Sequence, residues 1–174
     1  MQDFVRQFIE DVAVELTDEF DQNFERKAFF TDKWEGVKLH NPKGSMMART
    51  NNLRNSIKYD ILNEQITWSS SLPYASIHNE GGEITVSEKM KRFFWAMYYK
   101  AAGAVTKTKS QRNERLTIEA QQWKALALMK VGQKIKIEKR QFIGDHPQVR
   151  QAVQNVWNDN FKDFENYMNS KFKK

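Results

Sequence analysis

Apolar residues recur at every fourth position at the start of the chain: Phe4, Phe8, Val12, Leu16, Phe20 and Phe24. This spacing predicts a long helix over residues 3–27, with Val5 and Ile9 widening the stripe. A strict repeat of four advances about 40° per step on an ideal helix, so the stripe winds and should meet more than one surface. Glu10, Asp11, Glu15, Asp18, Glu19 and Asp21 make the other face acidic, which suits either a solvated face or a distal end packed on a neighbouring subunit. Residues 28–48 read as a loop with an aromatic start, in which Trp34 either anchors the loop to the core or stacks on a ligand. The loop holds a turn signal at residues 41–44 and an exposed His40. Strand-like patterns then follow at residues 57–61 and 65–69, where Ile66 and Trp68 alternate with Thr67 and Ser69 across a polar turn at Asn63 and Glu64.

Before that hairpin, Thr50, Asn51 and Asn52 offer helix-start chemistry. After it, Pro73 can open a short helix with Tyr74 and Ile77 on one face, and Gly81 and Gly82 supply the positive φ that stops it. Residues 83–86 can add a strand, and Thr85 to Glu88 have capping-box spacing ahead of a helix carrying Phe93, Phe94, Trp95, Tyr98 and Tyr99. These aromatics go all round the helix, so it is covered on several sides, by its own core alone or also by a second chain. Residues 103–117 lack apolar periodicity and read as a mobile arm with Lys107, Lys109, Arg112 and Arg115, either a solvated insertion or a surface for DNA or an acidic partner. A helix over residues 118–130, an alternating strand over 134–138 and a long final helix complete the chain. For that last helix Asp145 is the expected cap, with Pro147 in the first turn and Gln148 closing a capping box. Its stripe, from Val149 through Phe164 to Phe172, is long enough to outrun its own core. The expected fold is α+β in one domain over residues 1–174. A small, mainly antiparallel sheet from the hairpin, residues 83–86 and residues 134–138 is packed by long N- and C-terminal helices, with a helical and loop insertion over 83–133.

Composition narrows the chemistry. The chain has 174 residues and no cysteine, which removes disulfides, thiolate nucleophiles and cysteine zinc sites. The three histidines, His40, His78 and His146, lie far apart, and no phosphate-binding loop, dinucleotide fingerprint or nucleophile elbow occurs. His78 and Glu80 have the H-x-E spacing of zinc deaminases, but the partner cysteines are missing. The reading is therefore no enzyme, no cofactor, no metal and no small-molecule substrate, with His78 half-buried and its imidazole tying the glycine turn to a neighbouring strand. No apolar run approaches the length of a membrane span, and the acidic, amphipathic start is unlike a signal peptide, so no membrane contact and a cytoplasmic site of synthesis are expected. The net charge of +6 is uneven: residues 1–82 carry −4, residues 83–140 carry +9 and residues 141–174 carry +1. An electrostatic partner therefore belongs at the middle third. There the basic and aromatic residues form separate blocks, which weakens a primary nucleic-acid-binding reading of residues 89–140.

Four short segments carry a resemblance. RTNNLRNSI at residues 49–57 resembles the R-T-G-x-L-R-x-S-I signature of the phage virion morphogenesis (tail completion) family. YASIHNEGG at residues 74–82 is similar to that family's Y-A-x-I-H-x-x-G-G, and RQFIG at residues 140–144 to its R-P-F-L-G. NFERKAFFTDKW, upstream at residues 23–34, fits in the same order. Asn51 or Asn52 stands where the family has Gly, and Gln141 where it has Pro. Asn is the best non-glycine residue for positive φ. The matched positions are Thr50, Leu53, Arg54, Ser56, Ile57, Tyr74, His78, Gly81, Gly82, Arg140, Phe142 and Gly144. The resemblance implies a structural component of a tailed phage or prophage, acting in tail completion or head–tail joining as a ring-like homo-oligomer. It would be made in the host cytoplasm and carried in the virion tail or neck. Its partners would be tail-tube or neck and connector proteins, with transient contact to packaged DNA. A ring needs two different adhesive patches per subunit. The candidates are Phe94, Trp95 and Tyr99 on the aromatic helix, Trp68 at the hairpin edge, and Phe164 and Phe172 on the last helix.

Overall fold

The computed structural model describes residues 2–36 and 46–172, so His40 and the turn at residues 41–44 lie outside it. Helix α1 spans Gln2–Arg26 and packs along the proximal part of α6, Pro147–Phe172. The two run antiparallel: Phe4 meets Trp157 and Phe164, Phe8 meets Trp157, and the other end of α1 lies beside Val149 and Val153. The winding stripe does meet two surfaces. Val12, Leu16 and Phe20 face α6, whereas Phe24 turns into a second cluster with Trp34, Leu53, Ile57, Ala75 and Phe142.

Residues 28–33 are not loop. Ala28–Phe29 (β1) and Asp32–Lys33 (β2) form a tight hairpin directly after α1. Lys27 just before it and Phe30 in its turn hold positive φ, and the Asn23 Oδ1 accepts the Phe30 N–H at 2.9 Å. That bond comes from a fully buried side chain, which local pattern does not reveal. Helix α2 follows at Asn52–Asn55, then β3 at Ile57–Leu62 and β4 at Gln65–Ser70. The β3–β4 turn has positive φ at both Asn63 and Glu64, the geometry whose twist matches paired strands. Alternation holds in β4: Ile66 and Trp68 turn inward, and the Trp68 indole donates to the Thr17 hydroxyl at 2.9 Å.

Helix α3 (Ala75–Glu80) leads through the glycine pair into β5, Gly82–Thr85, which pairs antiparallel with β6, Lys134–Ile137. The single small sheet expected from the sequence is thus, among the described residues, three separate two-stranded ribbons. The reason is that each ribbon is built on a different support. β3–β4 lies across α1, while Gly81 presses against the backbone of residues 137–139 and commits β5 to β6. The α+β class and the covering terminal helices are as expected.

Between β5 and β6 the chain forms an arm of two helices, α4 (Glu88–Gly103) and α5 (Gln111–Leu128), which pack chiefly on each other. Ser87, not Thr85, caps α4 by accepting the Met90 N–H at 3.2 Å. Phe94 and Trp123 stack at 6.0 Å between the helices. The mobile stretch expected over 103–117 is replaced by a short connection and the first turns of α5. Ser110 caps that helix, and the buried Asn113 carboxamide bonds Thr106 and Thr108, closing the connection onto the helix. At the base, the Val86 N–H donates to the Gln133 carbonyl at 2.8 Å and the Gly132 N–H to the Val86 carbonyl at 2.9 Å. The cap of α6 also differs: His146 Nδ1 accepts the Gln148 N–H at 3.2 Å, while Asp145 is drawn away by Arg150.

Candidate functional site

The three central motifs converge. In the first, Asn51 sits at φ 56° before α2, the left-handed backbone that Asn tolerates best after glycine. Its side chain caps nothing; Thr50 Oγ1 makes only a long 3.4 Å contact to the Asn52 N–H. Leu53 and Ile57 are buried, and the Ser56 hydroxyl is shared between the Leu53 carbonyl and Ser70 at 2.7 Å each. Arg54 reaches back to Asp21 and Glu25 on α1, and these carboxylates raise its pKa further. The first motif is thereby tied to the first helix.

The second and third motifs close on one another through backbone and a carboxamide. The Arg140 N–H donates to the His78 carbonyl at 2.8 Å. Asn79 Oδ1 accepts two amides, Phe142 at 2.9 Å and Ile143 at 3.1 Å. The tie assigned to the His78 imidazole is therefore made by its backbone and by Asn79. Among the described residues the buried His78 Nδ1 has no hydrogen-bond partner. Burial lowers the His78 pKa, and the positive charges of Arg140 and Arg49 lower it further, so the ring is neutral near pH 7. Gly81 takes φ 76°, and a Cβ there would stand 3.0 Å from the Lys139 nitrogen. Gly82 and Gly144 also hold positive φ.

Side chains from the upstream segment complete the junction. Asn23 Nδ2 donates to the Phe142 carbonyl at 3.3 Å, and the Trp34 indole donates to the Gln141 carbonyl at 2.7 Å. Trp34 thus anchors its segment to the core, beside Phe24 at 5.8 Å. The Arg140 guanidinium donates to the Glu35 and Gly36 carbonyls at 3.3–3.4 Å. Phe142 is 1% exposed at the centre. Asn23 and Asn79 were missed by pattern reading; the only hint was a polar Asn23 set into the apolar stripe of α1.

Above this junction lies an open pocket of about 380 Å³ whose walls include Arg49, Thr50, Leu53, Tyr74, His78 and Arg140. Its polar rim is cationic. The Ser56 hydroxyl is engaged with Leu53 and Ser70, and among the described residues His78 Nδ1 has no hydrogen bond to a hydroxyl or carboxylate. Among the described residues no cluster of three or more His, Asp or Glu side chains suits a metal ion. None of their helices is long and apolar enough to cross a membrane.

A family model described as the phage virion morphogenesis family matches residues 3–162, a span that contains every one of these contacts. The chain belongs to the phage virion morphogenesis family. No curated protein and no solved structure shows detectable similarity to it. In this member of the family the motif positions form a structural knot: they join α1, the β3–β4 ribbon, the glycine turn and residues 140–144.

The candidate contact residues fall elsewhere. Trp68 is half-buried against Phe20, at 5.4 Å, so the open side of its ribbon is represented instead by Tyr59, Ile61 and Leu62. Phe94 is buried in the arm, and Phe93 takes its place at the surface at 54% exposure. Trp95 is half-buried, whereas Tyr99, Phe164 and Phe172 are exposed. Lys107, Lys109, Arg112 and Arg115 are exposed on the connection and the start of α5.

Proposed function

We propose that this family member is a structural protein of a phage or prophage that acts in tail completion or head–tail joining, as a subunit of a ring. It is made in the host cytoplasm and ends in the tail or neck, against tail-tube or connector proteins. It carries out no turnover and needs no cofactor, its work being subunit–subunit and ring–tail contact. The observation that carries this reading is the distal half of α6. Phe161, Phe164, Tyr167, Met168 and Phe172 are exposed along a helix that continues past the level of Phe4, where α1 stops covering it. An apolar stripe of that length on a phage morphogenesis protein suits burial by assembly. Inactivating the gene in its own phage or prophage is expected to leave filled heads and tails unjoined in electron micrographs, with joining restored by the intact chain. Normal, joined and infectious particles from the mutant would contradict the reading.

A second reading rests on a different observation: none of the ten cations in residues 88–130 forms an ion pair among the described residues. Such a surface suits phosphates. A duplex-DNA complex whose affinity falls steeply with salt, and which needs Lys107, Lys109, Arg112 and Arg115, would favour it.

A further inference from the structure

The arm and the N-terminal helix are electrostatic opposites. Residues 88–130 hold ten cations against three carboxylates, whereas residues 2–26 hold eight carboxylates against two cations. On α4, positions three or four apart place Lys89, Arg92, Ala96, Tyr99 and Lys100 on one exposed face, opposite Phe94 and Ala101, which pack inward. Tyr99 is 65% exposed at the edge of that face, an aromatic ring set among cations. Phosphate binding does not require an exposed ring there, while protein interfaces are enriched in Tyr and Arg.

A receptor of matching chemistry lies on other elements of the same chain. Val5 and Ile9 of α1 and Ile61 of β3 line a cavity of about 460 Å³, edged by Glu10 and Glu64 and by Arg6, which pairs with Glu10 at 3.1 Å. The neighbouring Leu62 is 73% exposed at the tip of the ribbon. Glu64 holds positive φ in the turn, which carries its carboxylate beside the apolar floor. Tyrosine is suited to such a site, since its ring can cover the apolar floor while its hydroxyl donates to a carboxylate. We propose that the α4 face of one copy docks on the α1/β3 cavity of the next, with Tyr99 entering the cavity and Arg92 and Lys100 facing the acids of α1. Knob and hole lie on different surfaces of the subunit, so the contact is head-to-tail and repeats around a ring. The inference rests on the ring reading and names the two faces that meet.

The chain lacks cysteine, which makes the test direct. Ala96→Cys and Leu62→Cys, placed in separate chains, leave Tyr99 and the cavity lining intact. When the two chains are mixed and oxidised, a disulfide-linked species at twice the 20.6 kDa chain mass is expected. The expected yield is at least tenfold above a pairing of Ala96→Cys with Lys162→Cys on α6. Adding Tyr99→Ala, or Glu10→Lys with Glu64→Lys, is expected to abolish the link while circular dichroism and melting stay unchanged. A yield equal to the α6 control, or one indifferent to those changes, overturns the proposal. If light scattering still shows an oligomer in that case, the faces are wrong and the ring reading stands. A monomer at every concentration overturns both. Binding of duplex DNA that needs Arg92 and Lys100, with no link ever formed, also overturns it and makes the arm a nucleic-acid surface.

Discussion

The motif junction and the α4–α5 arm spend their polar groups in opposite ways. In the junction, Arg54 is paired with Asp21 and Glu25, Arg140 is bound to two carbonyls, and Asn23 and Asn79 serve backbone groups of residues far away in sequence. Among the described residues of the arm, Asn113 is the side chain used in this inward manner, and the lysines and arginines form no ion pairs, most of them exposed and Lys124 lying over the Tyr98 ring. Buried polar groups are costly unless satisfied, so the junction specifies one arrangement of the chain. Exposed, unpaired charges beside exposed rings add little to folding and are free for a partner. Defects at the junction are therefore expected as loss of fold, and defects at the arm as loss of assembly.

Four changes bear on that contrast, the first at its strongest point. Phe142→Ala removes a fully buried ring that touches Phe24 at 5.2 Å, and should cost about 3–5 kcal/mol in denaturant unfolding. A change no larger than that of an exposed arm residue would erase the distinction. Gly81→Ala forces a side chain into positive φ and against the Lys139 backbone, with an expected loss of about 2 kcal/mol. A melt of the variant that overlays the parent would show that the turn relaxes freely.

The His78 contribution is smaller and depends on pH. Its folded pKa lies below the ordinary 6.5, so below that pH the unfolded chain binds more protons than the folded one. Its stabilising effect is therefore complete above pH 6.5 and is lost as pH falls through the folded pKa. Melting temperatures of the parent and His78→Gln, compared between pH 7.5 and 5, should show a shallower acid loss in the variant; parallel curves would deny His78 this role. Smallest in stability is the joint Arg112→Glu and Arg115→Glu change, expected within about 0.5 kcal/mol of the parent, as for surface substitutions away from special features. A loss comparable to Phe142→Ala would mean that the arm is part of the folding core.

Much of the frame was legible because it is local and periodic. The fourfold stripe of α1, the alternation of Ile66 and Trp68, and the long stripe after Pro147 each report their element directly, and the glycine pair marks the end of α3. What escaped depends on partners distant in sequence. Asn23 holds Phe142 across 119 positions and Asn79 holds it across 63, and neither bond leaves a trace in local pattern. The start of α5 was hidden for the same reason. Residues 111–117 carry a single large apolar residue, Leu116, too few for a stripe, and their helix is held by the Ser110 cap and the Asn113 tether. Likewise Phe93 and Phe94 cannot be sorted into outside and inside until Trp123 is placed opposite them.

The most direct test of this division is the native mass by light scattering, with melting in parallel, of the intact chain and of a variant carrying Arg92→Glu, Tyr99→Ala and Lys100→Glu. The intact chain is expected at a discrete multiple of 20.6 kDa and the variant as a monomer, with the two melting alike. A variant that keeps the full oligomer, or one that falls apart only because it unfolds, would contradict the division.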